Sequence, residues 1–149
     1  MARETSLELN PRKFDAWEDN RVKTRESAEN YLETILILSR AGIPVRSIDI
    51  VNELNYTKPS VSVAMRNLRS SGHVRVDADG YISLTRSGRE IAETMYERHV
   101  MISDWLISLG VDRVTAVDDA CRMEHAMSEK SFEAIKGYIK SNQSISHAE

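Results

Sequence analysis

The sequence predicts a mainly α-helical chain with a small β-wing, in which a winged helix-turn-helix domain is followed by an α-helical dimerisation domain. Apolar residues recur at helical spacing through most of the chain. In its middle, two short helical segments are separated only by the residues NYT, as in a helix-turn-helix. The stretch that follows, HVRVDADGYISLT, alternates on both sides of Asp79-Gly80, which is typical of a β-hairpin.

The length of 149 residues suits one medium domain or two small ones. We expect residues 1–20 to be an N-terminal extension that can form a helix, residues 21–86 the winged helix-turn-helix domain, and residues 87–149 the dimerisation and metal-binding domain. No apolar run approaches the roughly 20 residues of a membrane span, and no signal-peptide pattern opens the chain. A single cysteine cannot form an internal disulfide. A cytoplasmic location without a membrane partner is therefore expected.

The net charge of −3 argues against a nucleic-acid binder when the chain is taken whole. The charges are unevenly spread, however, because residues 21–86 are mildly basic whereas residues 87–149 are acidic. This asymmetry indicates two modules with different partners, although a solvated charged face is the simpler explanation for a difference of this size.

The N-terminal half is predicted to hold three or four helices. The first is a possible helix in NPRKFDAWEDNRVK that begins at Asn10-Pro11. Its Phe14 and Trp17 side chains are expected to pack against another part of the chain. SAENYLETILILS, residues 27–39, has apolar residues on one face and is followed by Ala41-Gly42. SIDIVNEL has Ser47 as its expected N-cap, with inward positions at Ile48, Val51 and Leu54.

KPSVSVAMRNLRSSG forms the second helix of the helix-turn-helix, with Pro59 in its first turn and Gly72 at its end. Val61, Met65 and Leu68 share its core face. The rest carries short polar and basic side chains, which suit contacts to DNA phosphates and base edges. An ordinary solvent-exposed face is the alternative. The candidate DNA-binding residues, including flanking ones, are Arg46, Thr57, Lys58, Pro59, Ser60, Ser62, Val63, Arg66, Arg69 and Arg75.

Three helices are predicted after the wing. The capping-box spacing of Ser87 and Glu90 indicates the start of a long helix that ends at Gly110. Its apolar stripe comprises Ile91, Met95, His99, Ile102, Leu106 and Leu109. Two further helices are expected at residues 114–127 and, after Ser128 as cap, at residues 129–140. The tail SNQSISHAE is expected to fray.

The stretch DDACRMEHAMS, residues 118–128, holds Cys121, Glu124 and His125 at helical offsets of three and four. On a helix these three side chains share one face and form a partial metal site. The alternative is a small buried cysteine beside a surface acid and a half-buried histidine. His99 can be a hydrogen-bonded core residue or a facing nitrogen ligand. Two oxygen donors, Asn30 and Glu33, lie three apart on the helix of residues 27–39.

ENYLETI, the winged helix, ERH and DDACRMEHAMS, taken in this order, closely resemble the diphtheria toxin repressor family, including its smaller manganese-dependent members. The resemblance implies a homodimeric, metal-activated transcriptional repressor that binds a palindromic operator in double-stranded DNA. It also implies a set of metal ligands, namely Asn30, Glu33, His99, Cys121, Glu124 and His125.

The chain combines features of two branches of that family. Cys121 resembles the iron branch, whereas Glu33 matches the manganese branch. Asn30 stands where these branches have methionine or aspartate. Ser103 and Val117 replace two ligands of the iron branch's second site, so that site is not expected here. Soft and hard ligands together suit Fe²⁺ or Mn²⁺, with Co²⁺, Ni²⁺ or Zn²⁺ binding in vitro.

Two other functions fit parts of the pattern. One is a winged-helix regulator that senses an organic effector, or oxidation at Cys121. The other is a metal-dependent hydrolase using His99, Glu124 and His125, which would need an open coordination position beside a substrate cleft. No substrate-binding loop is evident in the sequence, so we expect that the protein is not an enzyme.

Overall fold

A computed structural model describes the backbone of residues 16–146 and the side chains of residues 27–143. Within this part of the chain, the elements are α1 (Ala16–Arg40), α2 (Ser47–Leu54), α3 (Lys58–Ser70), β1 (Val74–Val76), β2 (Ile82–Leu84), α4 (Arg86–Ser108), α5 (Arg113–Ala126) and α6 (Glu129–Ser146). The predicted fold class, mainly helical with a small β-wing, is confirmed. No helix among these residues is long and apolar enough to cross a membrane.

Helix α1 is longer than predicted. It begins at Ala16, so residues 16–26 belong to the same helix as the predicted segment 27–39. No glycine or proline interrupts this stretch, so the helix can continue through it. Its residues are mostly polar and do not extend the apolar stripe from which the helix was predicted. The predicted helix start at Asn10-Pro11, Phe14 and the Trp17 side chain lie outside the described part.

The two helices of the helix-turn-helix are confirmed, but the cap of α2 differs from the prediction. Its N-cap is Arg46, not Ser47, and the Asp49 carboxylate accepts a hydrogen bond of 2.8 Å from the Arg46 N–H. Ile48 is exposed, and Ile50 fills the core instead. Helix α3 is capped by the Thr57 hydroxyl, which accepts from the Ser60 N–H at 3.3 Å.

The predicted wing is a two-stranded antiparallel sheet in which Val74 pairs with Leu84. Gly80 supplies the positive φ of 84° in its turn. The Ile82 N–H donates to the Val45 carbonyl at 2.8 Å, which joins the wing to the chain just before α2. The wing and the three N-terminal helices therefore share one core, which includes the predicted residues Val61, Met65 and Leu68.

Helix α4 begins at Arg86, and its N-cap lies two residues before the predicted cap. This N-cap is Thr85, whose hydroxyl accepts from the Gly88 N–H at 3.3 Å. Ser87 instead lies 3.0 Å from His73 Nδ1. Gly88 lies directly against the wing, since a Cβ atom there would stand 2.0 Å from the His73 carbonyl oxygen. This position therefore requires glycine.

The C-terminal helices form a second core between α4, α5 and α6, centred on Ile102, Ala120 and Phe132. Leu109, predicted on the apolar stripe, is exposed because it caps the end of α4. Ser128 caps α6 by accepting from the Ser131 N–H at 3.2 Å. Helix α6 extends six residues beyond its predicted end at residue 140, to Ser146. Residues 147–149 lie outside the described part.

Candidate metal centre

Two overlapping groups of metal-binding side chains lie where α1, α4 and α5 meet. His99, Cys121 and Glu124 form one, and Glu33, Glu124 and His125 form the other. Within each group the potential ligand atoms lie within 4.8 Å of one another. The structure thus brings together five of the six ligands implied by the sequence, and Glu124 belongs to both groups.

Helix packing sets this arrangement. Helices α4 and α5 pack against each other, and both carry small buried residues: Ser103 on α4, and Ala116 and Ala120 on α5. The buried Arg98 guanidinium donates to the backbone carbonyls of Glu124 at 3.0 Å and Met127 at 2.8 Å. This contact fixes the last turn of α5, where two of the candidate ligands lie. The sequence analysis missed Arg98, because its partners are main-chain groups distant in sequence.

Glu124 is the centre of the site and is only 1% exposed. Its Oε2 lies 2.9 Å from His99 Nδ1, and its Oε1 lies 3.2 Å from His125 Nε2. Burial alone would raise the pKa of Glu124, but hydrogen bonds to His125, His99 and Glu33 bring the net shift downwards. Glu124 is therefore an ionised carboxylate at neutral pH.

Glu33 has the opposite character. It is also buried, at 4% exposed, although it belongs to α1. Burial, together with a hydrogen bond to the neighbouring Glu124, raises the pKa of Glu33 to about 8. Without a metal, Glu33 therefore keeps its proton at neutral pH.

Both histidines are held in their charged form. A hydrogen bond to Cys121, 3.7 Å from Nδ1, and another to Glu124 raise the pKa of His99 to about 10. Burial opposes protonation of His125, but hydrogen bonds to Glu124 and Glu29 still raise its pKa to about 10. Protons thus supply the positive charge that the buried carboxylates require.

The residues fit a divalent cation. Among the described residues, the buried Oε1 of Glu124 has no hydrogen bond of good geometry, and the charged His125 ring faces it at 3.2 Å. A buried oxygen of this kind is costly unless a positive charge faces it. Thiolate, imidazole and carboxylate together are a donor set for transition metals such as Fe²⁺ and Mn²⁺.

Asn30, the sixth implied ligand, lies at the edge of the site. It lines a cavity of about 600 Å³ with Cys121, His125 and Tyr56, among others. Its Nδ2 donates to the Tyr56 hydroxyl at 3.4 Å, which leaves the amide oxygen for another partner. The structure thus places Asn30 on the same cavity as Cys121 and His125.

Glu29 was missed by the sequence analysis. Its Oε2 lies 2.9 Å from Nδ1 of His125. An available signal was the spacing, because Glu29 is one helical turn before Glu33 and shares its face. The positions where the iron branch has second-site ligands hold no charge: Ser103 is buried and Val117 is half-buried.

The predicted DNA-binding residues lie on the surface at one end of the molecule. All ten are exposed, and seven of them belong to α3. Among the others, Thr57 caps α3, Arg75 lies in β1, and the Arg46 guanidinium stacks 4.3 Å from the centre of the Tyr81 ring in the wing. Arg46 at the start of α2, helix α3 and the wing are therefore adjacent.

Two family models match consecutive parts of the chain. The iron dependent repressor N-terminal DNA binding domain matches residues 23–81. The iron dependent repressor metal binding and dimerisation domain matches residues 85–148. Together they span most of the sequence.

Individual relatives agree with these matches. The chain is 31% identical over 117 residues to an uncharacterized HTH-type transcriptional regulator of Methanocaldococcus jannaschii, covering 77% of this chain and 94% of the relative. It is 30% identical over 112 residues to the transcriptional regulator MntR of Escherichia coli O157:H7, covering 75% and 72% respectively.

A solved manganese-dependent transcriptional repressor in complex with manganese superimposes with a TM-score of 0.70 at 26% identity. The match covers 76% of this chain and 52% of that longer chain. Both family models, the relatives and the shared fold identify the same family. The chain belongs to the diphtheria toxin repressor family of iron- and manganese-dependent transcriptional regulators.

Proposed function

We propose that the protein is a metal-activated DNA-binding repressor of metal-homeostasis genes, acting in the cytoplasm as a homodimer. The observation that carries this proposal is the mixed origin of the buried centre. Glu33 comes from α1, which packs against the helix-turn-helix, whereas Cys121, Glu124 and His125 come from α5. We assign residues 21–86 to DNA binding and residues 87–149 to dimerisation and metal binding. Residues 1–20 are an N-terminal extension, and α1 begins within it, at Ala16.

Within this proposal, Glu33, His99, Cys121, Glu124 and His125 hold the metal, with Asn30 adding an amide oxygen. A bound divalent cation supplies the positive charge that protons supply in its absence. With a cation bound, Glu33 and the two histidine rings would give up the protons on their ligand atoms, and the Glu33 carboxylate would tie α1 to α5. The position of α1 in turn sets the placement of the helix-turn-helix on DNA.

Regulation requires a sufficient coupling free energy between metal binding and DNA binding. If the DNA-binding arrangement binds metal ~100-fold more tightly than the relaxed one, the coupling free energy is about 2.7 kcal/mol. Reciprocity requires that operator DNA tightens metal binding by the same factor. Cys121 favours Fe²⁺, the softer of the two cellular candidates, while the carboxylates also accept Mn²⁺. Co²⁺, Ni²⁺ and Zn²⁺ are expected to bind in vitro.

On the DNA side, we propose that α3 enters the major groove and that the exposed Arg66 and Arg69 contact phosphates while Ser62 and Val63 face base edges. Arg46, Arg75 and Lys58 add phosphate contacts at the flanks. Thr57, Pro59 and Ser60 form the first turn of the helix, where the backbone can approach the DNA. A palindromic operator follows from a two-fold dimer, whose contacts we assign to Trp105 and Leu106 on α4.

We propose no enzymatic role. The family consists of transcriptional regulators, and the sequence offers no substrate-binding loop for the hydrolase alternative. The oxidation alternative stays open to test, because Cys121 is exposed. Operator binding titrated with Fe²⁺ and Mn²⁺ without oxygen, with and without a thiol oxidant, separates these functions. Metal-independent operator binding would overturn the proposal, and a response to the oxidant alone would favour oxidation sensing.

A further inference from the structure

We propose that Glu29 is a positioning residue of the metal centre: it holds the imidazole of His125 by Nδ1, so that Nε2 is the nitrogen presented to the cation. This inference rests on the proposed metal-dependent function and deepens it. It adds a second carboxylate from α1 to the site, outside the ligands themselves.

The geometry of His125 carries the inference. Its Nδ1 lies 2.9 Å from Glu29 Oε2, and its Nε2 lies 3.2 Å from Glu124 Oε1. Both partners of the contact with Glu29 are shielded, with side chains 9% and 16% exposed. The ring is therefore held at both nitrogens, and Nε2 is the nitrogen that faces the carboxylates of the metal site.

Glu29 acts from outside the group. The two groups of converging ligand atoms include Glu33, Glu124 and His125 but not Glu29. A metal-binding histidine commonly donates its other N–H to a carboxylate, which fixes the tautomer and makes the ligating nitrogen more basic. Loss of such an outer partner typically costs about 10- to 100-fold in metal affinity.

The position of Glu29 on α1 gives the contact a second consequence. Glu29 and Glu33 are four residues apart on one helix face, so one segment of α1 supplies both an inner and an outer carboxylate. His125 is correctly oriented only while α1 is seated against α5. The seating of α1 thus becomes a condition for tight metal binding.

The test uses two substitutions of graded severity. Glu29→Gln keeps a hydrogen-bond acceptor for the Nδ1 proton but removes the charge, whereas Glu29→Ala removes the acceptor. Anaerobic Co²⁺ titration of the full chain, followed by the thiolate-to-cobalt absorption of Cys121, gives the affinity. We expect affinity to fall in the order parent, Gln, Ala, with about 10- to 100-fold between the ends. Glu53→Gln, an exposed charge on α2, is the matched control and should retain the parent affinity.

A spectroscopic measurement separates positioning from a general structural role. In the Zn²⁺-loaded protein, ¹⁵N chemical shifts of the His125 ring should show metal on Nε2 and a proton on Nδ1 in the parent and Glu29→Gln. In Glu29→Ala the ring should lose this single tautomer. If Glu29→Ala does not fold, Glu29→Gln decides: a Co²⁺ affinity equal to that of the parent would overturn the inference. So would metal on Nδ1 of His125 in the parent.

Failure of this inference and failure of the proposed function give different results. Operator binding of the parent that does not respond to metal would refute the repressor proposal alone. A metal-responsive parent whose Glu29→Ala and Glu29→Gln variants bind Co²⁺ with parental affinity would refute only the role of Glu29.

Discussion

Glu33 of α1 and Glu124 of α5 place two carboxyl groups in hydrogen-bonding contact inside the protein, yet they differ in charge. Glu124 is ionised because two histidines and Glu33 surround it, whereas burial and Glu124 keep Glu33 protonated. A cation that binds here must therefore displace this shared proton together with protons of the two histidines.

Glu33→Gln should separate folding from metal binding. A glutamine resembles the protonated Glu33 in size and charge, so the metal-free Tm at pH 7 should change by little, equivalent to less than about 1 kcal/mol. The parent should gain about 2.7 kcal/mol at a metal concentration 100 times Kd, and the variant much less. Thermal melts with and without Mn²⁺ measure both. Equal metal stabilisation in the two proteins would remove Glu33 from the site.

Stability of the metal-free protein should fall as the pH rises. The pKa values of Glu33, about 8, and of His99 and His125, about 10, are all raised in the folded state. A raised pKa means that folding favours the protonated group, so its contribution is lost between pH 4.5 and 8 for Glu33 and between 6.5 and 10 for the histidines. The lowered pKa of Glu124 acts only near pH 4.5 and below.

Metal affinity should rise over the same range, because protons and metal compete for these groups. Tm values of the metal-free protein from pH 7 to 10, and Mn²⁺ affinities from pH 6 to 8, test the two trends. A Tm independent of pH, or affinity that falls as pH rises, would contradict the assigned protonation states.

Cys121→Ala should weaken metal activation while leaving the fold intact. The side chain is exposed, so its removal creates no cavity in the core. Its thiolate is the soft ligand, so the loss should be greater for Fe²⁺ than for Mn²⁺. Anaerobic operator titrations with each metal give the comparison. Identical responses of parent and variant would mean that Cys121 has no part in regulation.

Tyr56→Phe should reduce the effect of metal on DNA binding without changing metal affinity. Tyr56 precedes Thr57, the cap of α3, and its hydroxyl accepts from Asn30 at the metal pocket. The ring contact with Tyr31, with centres 5.7 Å apart, is kept in phenylalanine. We expect a two- to five-fold smaller metal-driven gain in operator affinity, from loss of a hydrogen bond of about 0.5–1 kcal/mol.

Tyr81→Phe is the control for this effect. It removes a hydroxyl from the wing, away from the pocket, and should change operator affinity equally with and without metal. If Tyr56→Phe behaved in the same way, the hydrogen bond between Asn30 and Tyr56 would have no part in coupling metal to DNA binding.

Arg66→Ala should weaken binding to all DNA sequences and lower the salt dependence by about one unit of slope, because one phosphate contact is lost. Substitutions of Ser62 should instead alter sequence preference. Binding to operator and scrambled DNA at several salt concentrations distinguishes the two. A parental salt slope in Arg66→Ala would exclude its phosphate contact.

Patterns local in sequence predicted most of the fold. Apolar spacing located the helices and wing, and Val61, Met65 and Leu68 are buried as expected. Helix caps were less predictable, because a neighbouring polar residue can cap the helix equally well. Thr85 caps α4 in place of Ser87, and the N-cap of α2 is Arg46, whose N–H is bound by Asp49, in place of Ser47. Residues 16–23 were predicted to lie in a separate helix, because polar residues interrupt the apolar stripe before residue 27.

In the candidate site too, local spacing predicted some residues and packing between helices brought in the others. Cys121, Glu124 and His125 share one helix, so their spacing alone groups them. His99 and Glu33 joined them through an unusual position among apolar residues and through family resemblance. Arg98 acts on main-chain partners far along the chain, and nothing in its own surroundings marks it. Glu29 is marked only by its spacing of one helical turn from Glu33, and its partner His125 is revealed by the packing between helices.

The close contact of Gly88 with the His73 carbonyl has a mechanical consequence. With no room for even a methyl group between them, the wing and the first turn of α4 form a rigid joint. The long helix then acts as a lever arm with the wing at its tip. In a dimer held together through α4, a small rotation at the interface would be magnified into a larger displacement of the two wings. Distances between spin labels on the wings would therefore report the crossing angle of the two levers.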